Sequence, residues 1–264
     1  MALRLPALSL MGGLRHVLVA TMLCTSAATP YAQSSSAQPV LKVLVLKDSP
    51  SMSYRDDKGA LVGFNVDLAH GLCEQMKARC EIEETLLSTV IDQVAQGYAD
   101  FSTAALAPTD ERLKKVRFTE AVSNSVSYWF SRRSLAESKK FRVAAVAGSA
   151  QQQWAERTGR DLEWALLPVK TNADVSQAML EGRADAGVFP FASTLSLVHE
   201  GKLGRAGFSV LEPLGGLTPG RNTAIAVDPS QPKLLESLNQ ALRALKSSGR
   251  LEELNSKHFP MRML

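Results

Sequence analysis

Two stretches of this chain decide how the rest of it is organised: Leu61-Val-Gly-Phe-Asn-Val-Asp-Leu-Ala69 and Leu106-Ala-Pro-Thr-Asp-Glu-Arg-Leu-Lys-Lys115. The first predicts the end of a strand, a turn at Gly63 and the start of a helix. The second predicts a loop after a strand, in which Thr109 caps a short helix that carries Arg112. An arginine held at a helix start just beyond a strand can bind a carboxylate through paired hydrogen bonds. We therefore expect the rest of the chain to present Arg112 inside a cleft.

Patterns typical of strands and helices alternate on both sides of these stretches. In chain order, the predicted elements are strand 41–46, a hairpin turn at 56–59, helix 65–76, strand 81–83, helix 87–96, strand 99–105, an extended run at 125–132, strand 141–146, helix 151–158, strand 162–167, helix 172–180, strand 185–189, helix 191–199, strand 223–227, and helices 231–247 and 249–257. This alternation predicts an α/β fold with largely parallel sheets.

The restart of the pattern after residue 140 predicts two α/β lobes with a cleft between them. We assign residues 41–132 plus 224–264 to lobe 1 and residues 133–223 to lobe 2. The extended runs 125–132 and 223–227 are expected to cross between the lobes as a two-strand hinge. Closure about such a hinge would enclose a ligand in the cleft.

The composition is that of a globular protein and disfavours two classes of partner. Hydrophobic residues make up 45% of the 264 residues and charged residues 21%, which are ordinary values. The net charge of +4 includes Arg4 and Arg15, without which 28 basic groups face 26 acidic ones. So balanced a charge argues against partners that are nucleic acids or membrane surfaces.

The first residues carry the pattern of an export signal. Basic residues precede an apolar run from Val17 to Cys24, and small residues follow as far as Ala32. This pattern predicts a signal peptide at 1–32 and a Ser-rich flexible leader at 33–40. A membrane anchor is the alternative, but the apolar run is shorter than the roughly 20 residues that a spanning helix needs. We expect an exported protein without stable membrane insertion.

Cys73 and Cys80 would be the only cysteines left after removal of the signal peptide. Cys73 lies near the end of a predicted helix, and Cys80 opens the next predicted strand. An oxidising compartment would favour a disulfide across this turn, and two free thiols are the alternative.

Six segments together form a specific sequence pattern through their order and spacing, although each segment alone is a weak signal. They are Lys58-Gly-Ala-Leu-Val-Gly-Phe-Asn-Val-Asp-Leu-Ala69, Gly97-Tyr-Ala-Asp100, Thr109-Asp-Glu-Arg-Leu-Lys-Lys-Val-Arg-Phe-Thr119, Val143 to Gly148, Gly182-Arg-Ala-Asp-Ala186 and Ala241 to Phe259. In this arrangement the chain, from about residue 41 to 259, resembles the periplasmic solute-binding proteins of polar amino-acid ABC importers. The resemblance implies the type II bilobal fold, with two Rossmann-like lobes, a periplasmic location and an ABC permease as partner. The spacing of the two cysteines is also similar to the disulfide of the histidine and lysine/arginine/ornithine binders.

The resemblance implies where a carboxylate would bind. In that family an arginine after the third strand holds the α-carboxylate of the ligand, and Arg112 matches it. In the family, a Gly-Thr-Thr turn at a helix start in the second lobe reaches the same carboxylate. Gly148-Ser149-Ala150 matches that turn, but Ala150 lacks the second hydroxyl. Backbone N–H groups at a helix N-terminus survive that change, so anion binding is retained.

The chain departs from the family where the remainder of an amino acid would bind. Small or apolar residues occupy the positions expected to hold polar or aromatic groups, namely Ser49, Leu87, Ala104, Ala105, Ala107 and Pro190. Pro190 stands where the family has an aspartate that pairs with the α-ammonium. A buried ammonium without a partner costs several kcal/mol. We therefore expect an apolar pocket with one cationic group, which binds a carboxylate that lacks an α-ammonium.

Further residues are candidate neighbours of this pocket on position alone, namely Lys47, Tyr54, Gln151, Phe189, Phe191 and Arg221. We expect no metal site, because His70, His199 and His258 lie far apart without metal-binding spacing. No motif in the sequence requires a cofactor.

Three functions are compatible with these residues. The first is a receptor that delivers a small carboxylate to an ABC permease. The second is an exported accessory protein that keeps the fold and binds another periplasmic protein instead. The third is an enzyme similar to periplasmic cyclohexadienyl dehydratases, which share the fold. That chemistry needs a general acid in the cleft. The position that could supply it is occupied by Pro190, which has no acidic side chain.

Overall fold

The computed structural model describes residues 38–124, 126–214 and 222–260. The strands are β1 Val40–Leu46, β2 Tyr54–Arg55, β3 Leu61–Val62, β4 Arg79–Thr85, β5 Phe101–Leu106, β6 Arg117–Phe118, β7 Ser123–Asn124, β8 Ser127–Ser131, β9 Arg142–Val146, β10 Ala165–Val169, β11 Ala186–Pro190, β12 Val210–Pro213 and β13 Asn222–Val227. The helices are α1 Phe64–Gln75, α2 Leu87–Ala95, α3 Asp110–Leu113, α4 Ala150–Thr158, α5 Asn172–Leu180, α6 Phe191–Glu200, α7 Lys202–Arg205, α8 Pro232–Ser247 and α9 Arg250–His258. The predicted signal peptide, Arg221 and most of the predicted leader lie outside the described residues.

The strands form two sheets of the same design. The first sheet has the order β4-β1-β5-β13-β6, with β7 paired to β13, and the second has the order β10-β9-β11-β8-β12. In each sheet three adjacent strands run parallel, and a fourth strand, β13 or β8, joins them in the antiparallel direction. The predicted α/β fold with two lobes is confirmed.

The sheet pairing corrects the predicted boundary between the lobes. Residues 41–132 were assigned to lobe 1, but β8 pairs with β11 and β12 in the second sheet. Trp129 and Phe130 are both buried, in cores on opposite faces of that sheet. A strand that is apolar on both faces takes an interior position in a sheet. The chain therefore passes to the second sheet between Asn124 and Ser127.

The predicted two-strand hinge at 125–132 and 223–227 is wrong, because β8 lies within the second sheet and β13 lies within the first. Strand β7, the last strand of the first sheet before β8, pairs with β13. Asn124 lies opposite Asn222, and Ser123 lies opposite Thr223. The Ser123 and Thr223 hydroxyls are 2.8 Å apart. The first sheet therefore resumes at Asn222, slightly before the predicted residue 224.

Each sheet is covered by helices that bury its apolar side chains. In lobe 1, α1, α8 and α9 pack against β1, β5 and β13 around a core that includes Phe64, Leu72 and Leu242. In lobe 2, two clusters around Phe189 and Trp129 fill the opposite faces of the second sheet. The strand ends are left free to form a site between the lobes.

The cysteine pair is bonded as predicted. A disulfide joins Cys73 in α1 to Cys80 in β4, with the Cα atoms 5.9 Å apart. It fixes the turn between helix and strand on the outer side of lobe 1. Among the described residues, no helix is both long enough and apolar enough to cross a bilayer.

The short elements β6, β7, α7 and β12 have no counterpart among the predicted ones. Helix α7 and strand β12 lie between the predicted helix 191–199 and the predicted strand 223–227, where the sequence is rich in Gly and Pro. Strand β12 is a short edge strand that ends at Pro213, a position where a missing N–H is tolerated. Strand β12 joins the sheet by pairing with β8. This contact joins residues that are distant in the chain, so local sequence cannot predict it.

Candidate functional site

A cavity of about 150 Å³ lies between the two sheets, at the ends of β1, β5, β9, β10 and β11. All eight predicted ligand-binding residues line it, and they come from both lobes: Ser49, Leu87, Ala105, Ala107, Arg112, Ser149, Ala150 and Pro190. The chain positions of these residues are widely separated, so the fold alone brings them together. The cavity is the natural site for a ligand.

Arg112 supplies the partly buried cation of the cavity. Helix α3 begins after the cap Thr109, whose hydroxyl accepts from the Arg112 backbone N–H at 3.4 Å. The guanidinium Nη1 donates to the Ala107 carbonyl at 3.0 Å, and it forms no ion pair within the described part of the chain. Burial lowers the pKa of Arg112, and the charge of Glu111 opposes that shift. A desolvated guanidinium without an ion partner favours an anionic ligand.

The second lobe directs a helix N-terminus to the same cavity. Ser149 is 3% exposed and caps α4, with its Oγ accepting from the Gln152 backbone N–H at 2.9 Å. The hydroxyl proton of Ser149 and the first N–H groups of α4 have no partner within the helix. These donors and the helix dipole favour negative charge. Arg112 and α4 therefore provide anion-binding groups from opposite lobes.

The backbone of β5 is distorted at the cavity. Ala105 has φ +53°, a left-handed conformation that is unusual for a residue with a side chain. The pairing of β5 with β13 shifts register between Ala224 and Ala226, directly opposite. Such irregularities redirect side chains beside functional sites. No sequence signal at Ala105 predicts this distortion.

The cavity is more polar than the sequence predicts. The expectation of an apolar pocket with one cationic group is wrong, because Lys47 and Lys170 also line it. Amide side chains contribute as well, namely those of Asn65, Asn124, Gln151, Asn172 and Asn222. Lys170 and the asparagines were not predicted. Lys170, Asn65 and Asn172 lie at turn or helix-start positions that ordinary capping residues also occupy, and Asn124 and Asn222 lie in the strands β7 and β13. None of the lining residues that the structure describes is Asp or Glu.

Asn65 is the most enclosed amide of the cavity. It lies in the first turn of α1, and the residue is 1% exposed. Its Oδ1 has no hydrogen-bond partner among the described residues, although its backbone carbonyl accepts from Thr103 Oγ1 at 2.9 Å. An unpartnered buried acceptor costs about 1–3 kcal/mol. The Asn65 Oδ1 atom is therefore an acceptor that a donor group within the cavity would satisfy.

Of the six candidate neighbours, two line the cavity and three lie elsewhere. Lys47 and Gln151 line the cavity, and the Gln151 amide donates to Ser127 Oγ at 2.9 Å. Tyr54 is exposed on the β2–β3 hairpin, Phe189 belongs to the core of lobe 2, and Phe191 packs on Tyr128 with the ring centres 5.2 Å apart. Arg221 lies outside the described residues.

The two lobes touch directly beside the cavity. The Ala173 backbone N–H donates to the Asp48 carbonyl at 3.2 Å, and the Asn172 amide donates to Ser49 Oγ at 3.3 Å. These bonds join the loop after β1 to the start of α5. Contacts between the lobes therefore lie along one side of the cavity.

Two α/β lobes and an interlobe cavity define a bilobal binding protein. Residues 41–261 match the family model described as bacterial extracellular solute-binding proteins, family 3, and the chain belongs to that family. The predicted family membership is confirmed.

Relatives with curated names agree with this assignment. The chain is 28% identical over 206 residues to "ABC transporter arginine-binding protein 1" of Escherichia coli (strain K12), covering 76% of this chain and 82% of the relative. It is 24% identical over 221 residues to "Arginine-binding periplasmic protein" of Mannheimia haemolytica, covering 81% and 90%. Both relatives are named as binding proteins and not as enzymes.

Solved structures show the same fold. "An ancestral arginine-binding protein bound to arginine" superposes with a TM-score of 0.75 and 25% identity, covering 84% of this chain and 99% of the other. The ancestral amino acid-binding protein AncCDT-1, described as a precursor of cyclohexadienyl dehydratase, has a TM-score of 0.69 and 23% identity, with 83% and 95% covered. At that level of identity the second likeness supports the fold alone.

Proposed function

We propose that this protein is a periplasmic receptor that captures a small organic carboxylate between its lobes and delivers it to an ABC importer. One observation carries the proposal. The Arg112 guanidinium and the N-terminus of α4 line the same cavity, and none of the described lining residues is acidic. Anion-binding groups thus come from both lobes, and no carboxylate of the described lining competes with the ligand for them.

The named relatives bind arginine or are bound to it, and this favours an α-amino acid as the ligand. The lining of the cavity argues against one. An α-amino acid brings an ammonium, and arginine adds a guanidinium, while Pro190 and the alanines of β5 offer no negative charge. Leaving a cation buried without an anionic partner costs several kcal/mol. The proposed ligand is therefore a carboxylate without an α-ammonium.

The rest of the lining suits a short aliphatic chain. Leu87, Val146 and Pro190 are apolar, and the small side chains of Ala104, Ala105 and Ala107 leave room beside them. Burial of apolar ligand surface contributes about 25 cal/mol per Å². A short hydrocarbon chain would thus add affinity to the carboxylate contact.

A thermal-shift screen followed by isothermal titration calorimetry tests the proposal. The panel contains aliphatic monocarboxylates and dicarboxylates, the matching α-amino acids and L-arginine. A ligand at 100 times its Kd stabilises the folded state by about 2.7 kcal/mol, so binders will raise the melting temperature by several degrees. We expect carboxylates to bind and their α-amino counterparts to bind at least about tenfold more weakly, which is about 1.4 kcal/mol.

The outcomes separate the proposal from its alternatives. Tighter binding of L-arginine or another amino acid would refute the carboxylate ligand and leave the receptor role. Failure of the whole panel would favour an accessory protein, for which the absence of an ammonium partner at Pro190 is the supporting observation. A stable periplasmic partner in a pull-down would then be expected. Turnover of prephenate would instead indicate the enzyme.

A further inference from the structure

Two lysines that the proposed carboxylate contact does not use line the same cavity. Lys47 follows β1 in lobe 1, and Lys170 follows β10 in lobe 2. Both side chains are exposed, so they lie where the cavity opens to solvent. Neither forms an ion pair with any residue that the structure describes.

Contacts between the lobes occur close in the chain to both lysines. Asp48 and Ser49, which follow Lys47, accept hydrogen bonds from the Ala173 backbone N–H and the Asn172 amide, three and two residues beyond Lys170. Closure of the lobes therefore brings two like charges to one opening. Repulsion between them disfavours the closed state unless an anion lies between them.

The lysine pair lies one strand away from the carboxylate contact in both lobes. In the first sheet β1 is the neighbour of β5, which leads to Arg112, and in the second sheet β10 is the neighbour of β9, which leads to Ser149. Adjacent strands are about 4.8 Å apart. Small aliphatic diacids such as succinate and glutarate separate their two carboxylates by a distance of this order.

We infer that the ligand is an organic dicarboxylate, with one carboxylate on Arg112 and the start of α4 and the other between Lys47 and Lys170. The inference rests on the proposed function, because it assumes that Arg112 binds the first carboxylate. It also gives the lysines a role in closure, since the second carboxylate neutralises the charges that closure brings together. A monocarboxylate would leave them uncompensated.

Calorimetry with acids matched in chain length tests the inference. Succinate is compared with butyrate, and glutarate with valerate. The diacid of each pair is expected to bind at least about tenfold more tightly. Because exposed charges are screened by salt, this advantage should shrink as the salt concentration rises from 0.01 to about 0.5 M. Inorganic phosphate, a compact dianion that cannot reach both contacts, should bind more weakly than succinate.

Charge-neutral variants assign the effect to the lysines. Lys47→Gln and Lys170→Gln should each weaken succinate binding about threefold to tenfold. Neither variant should weaken butyrate binding, and both should tighten it slightly, because the repulsion between the two lysines is removed. The control Lys233→Gln removes an exposed lysine at the start of α8 that does not line the cavity, and it should change neither affinity. Unchanged melting temperatures without ligand would show that the variants fold.

Each result decides between the two claims. Equal affinity for diacid and monoacid, equal losses for both acids in the lysine variants, or phosphate binding as tight as succinate would overturn the dicarboxylate inference. The carboxylate receptor would survive those results if butyrate binding still depends on Arg112. Absence of binding by any acid would overturn both claims.

Discussion

The two walls of the cavity differ in what they can neutralise. The anion wall is our name for the lining groups that favour negative charge, namely Arg112 of lobe 1 and the start of α4 in lobe 2. The other wall holds Pro190 and the alanines at the end of β5, where the family resemblance implies partners for an ammonium. Both walls consist of residues at or just after strand ends of the two sheets. The fold therefore places the ligand, whereas the charge on each wall decides the class of ligand.

The largest effect is expected from neutralising the anion wall. Arg112→Gln should weaken carboxylate binding about 100-fold, because it removes a charged hydrogen-bond donor worth about 1.5–3 kcal/mol. Calorimetry measures the loss. The matched control Arg117→Gln changes an exposed arginine of β6, and it should leave the Kd unchanged. Similar losses in both variants would show that Arg112 acts through overall charge and not through contact.

A change remote from both walls should alter stability and spare affinity. Replacing Cys73 and Cys80 together by alanine removes the disulfide across a short loop. The free energy of unfolding should fall by about 2–3 kcal/mol, since the unfolded chain gains entropy. Urea denaturation measures this loss, and calorimetry checks the Kd. A large loss of affinity would mean that the walls depend on the disulfide.

A third variant gives the apolar wall the missing charge. Pro190→Asp should improve binding of L-2-aminobutyrate about tenfold and weaken binding of butyrate, because a carboxylate there attracts an ammonium and repels an anion. Pro190→Asn is the control of equal size without the charge. If the Asp and Asn variants behave alike, Pro190 does not face the α-position of the ligand.

The smallest effect concerns a charge cluster that joins α1 to α9. Burial raises the pKa of Asp67, but hydrogen bonds from Lys257 and His258, each at 2.6 Å, outweigh it and hold the pKa below its usual value. A lowered folded pKa gives stability that is present above about pH 4 and is lost as the pH falls through the folded value.

Asp67→Asn should therefore destabilise the protein at pH 7 by about 1 kcal/mol, a figure kept small by solvent screening of this partly exposed group. Urea denaturation across roughly pH 2.5–8 covers the range in which carboxylates titrate. The free energies of unfolding of the wild type and of Asp67→Asn should become equal at the acid end of that range. The Kd for carboxylates should not change. A constant difference at every pH would contradict the assigned role of the charge.

Local sequence predicts the elements of this fold well. Thr109 caps α3 as predicted, and α5 spans Asn172–Leu180 as predicted. These features depend on neighbours in the chain. The sheet to which β8 belongs depends on distant partners, and the sequence analysis therefore placed it in the wrong lobe.

The cavity also contains some residues that the sequence predicts and others that depend on contacts distant in the chain. Motif matches place Arg112 and Pro190 at the cavity, because the chain keeps the family's order of segments. Lys170, Asn65 and the distorted backbone at Ala105 were missed. Lys170 reaches the cavity through the approach of the second lobe, and the distortion at Ala105 accompanies a register shift between β5 and β13. Neither leaves a local pattern in the sequence, and Asn65 at the start of α1 is indistinguishable from an ordinary helix-start residue.

The most direct test of the central claim is one calorimetric comparison of glutarate with L-glutamate. The two acids differ only in the α-ammonium, so the difference in Kd reports how the cavity treats that charge. The account predicts that glutarate binds at least about tenfold more tightly. Tighter binding of L-glutamate would show that the cavity neutralises an ammonium, and it would contradict the account.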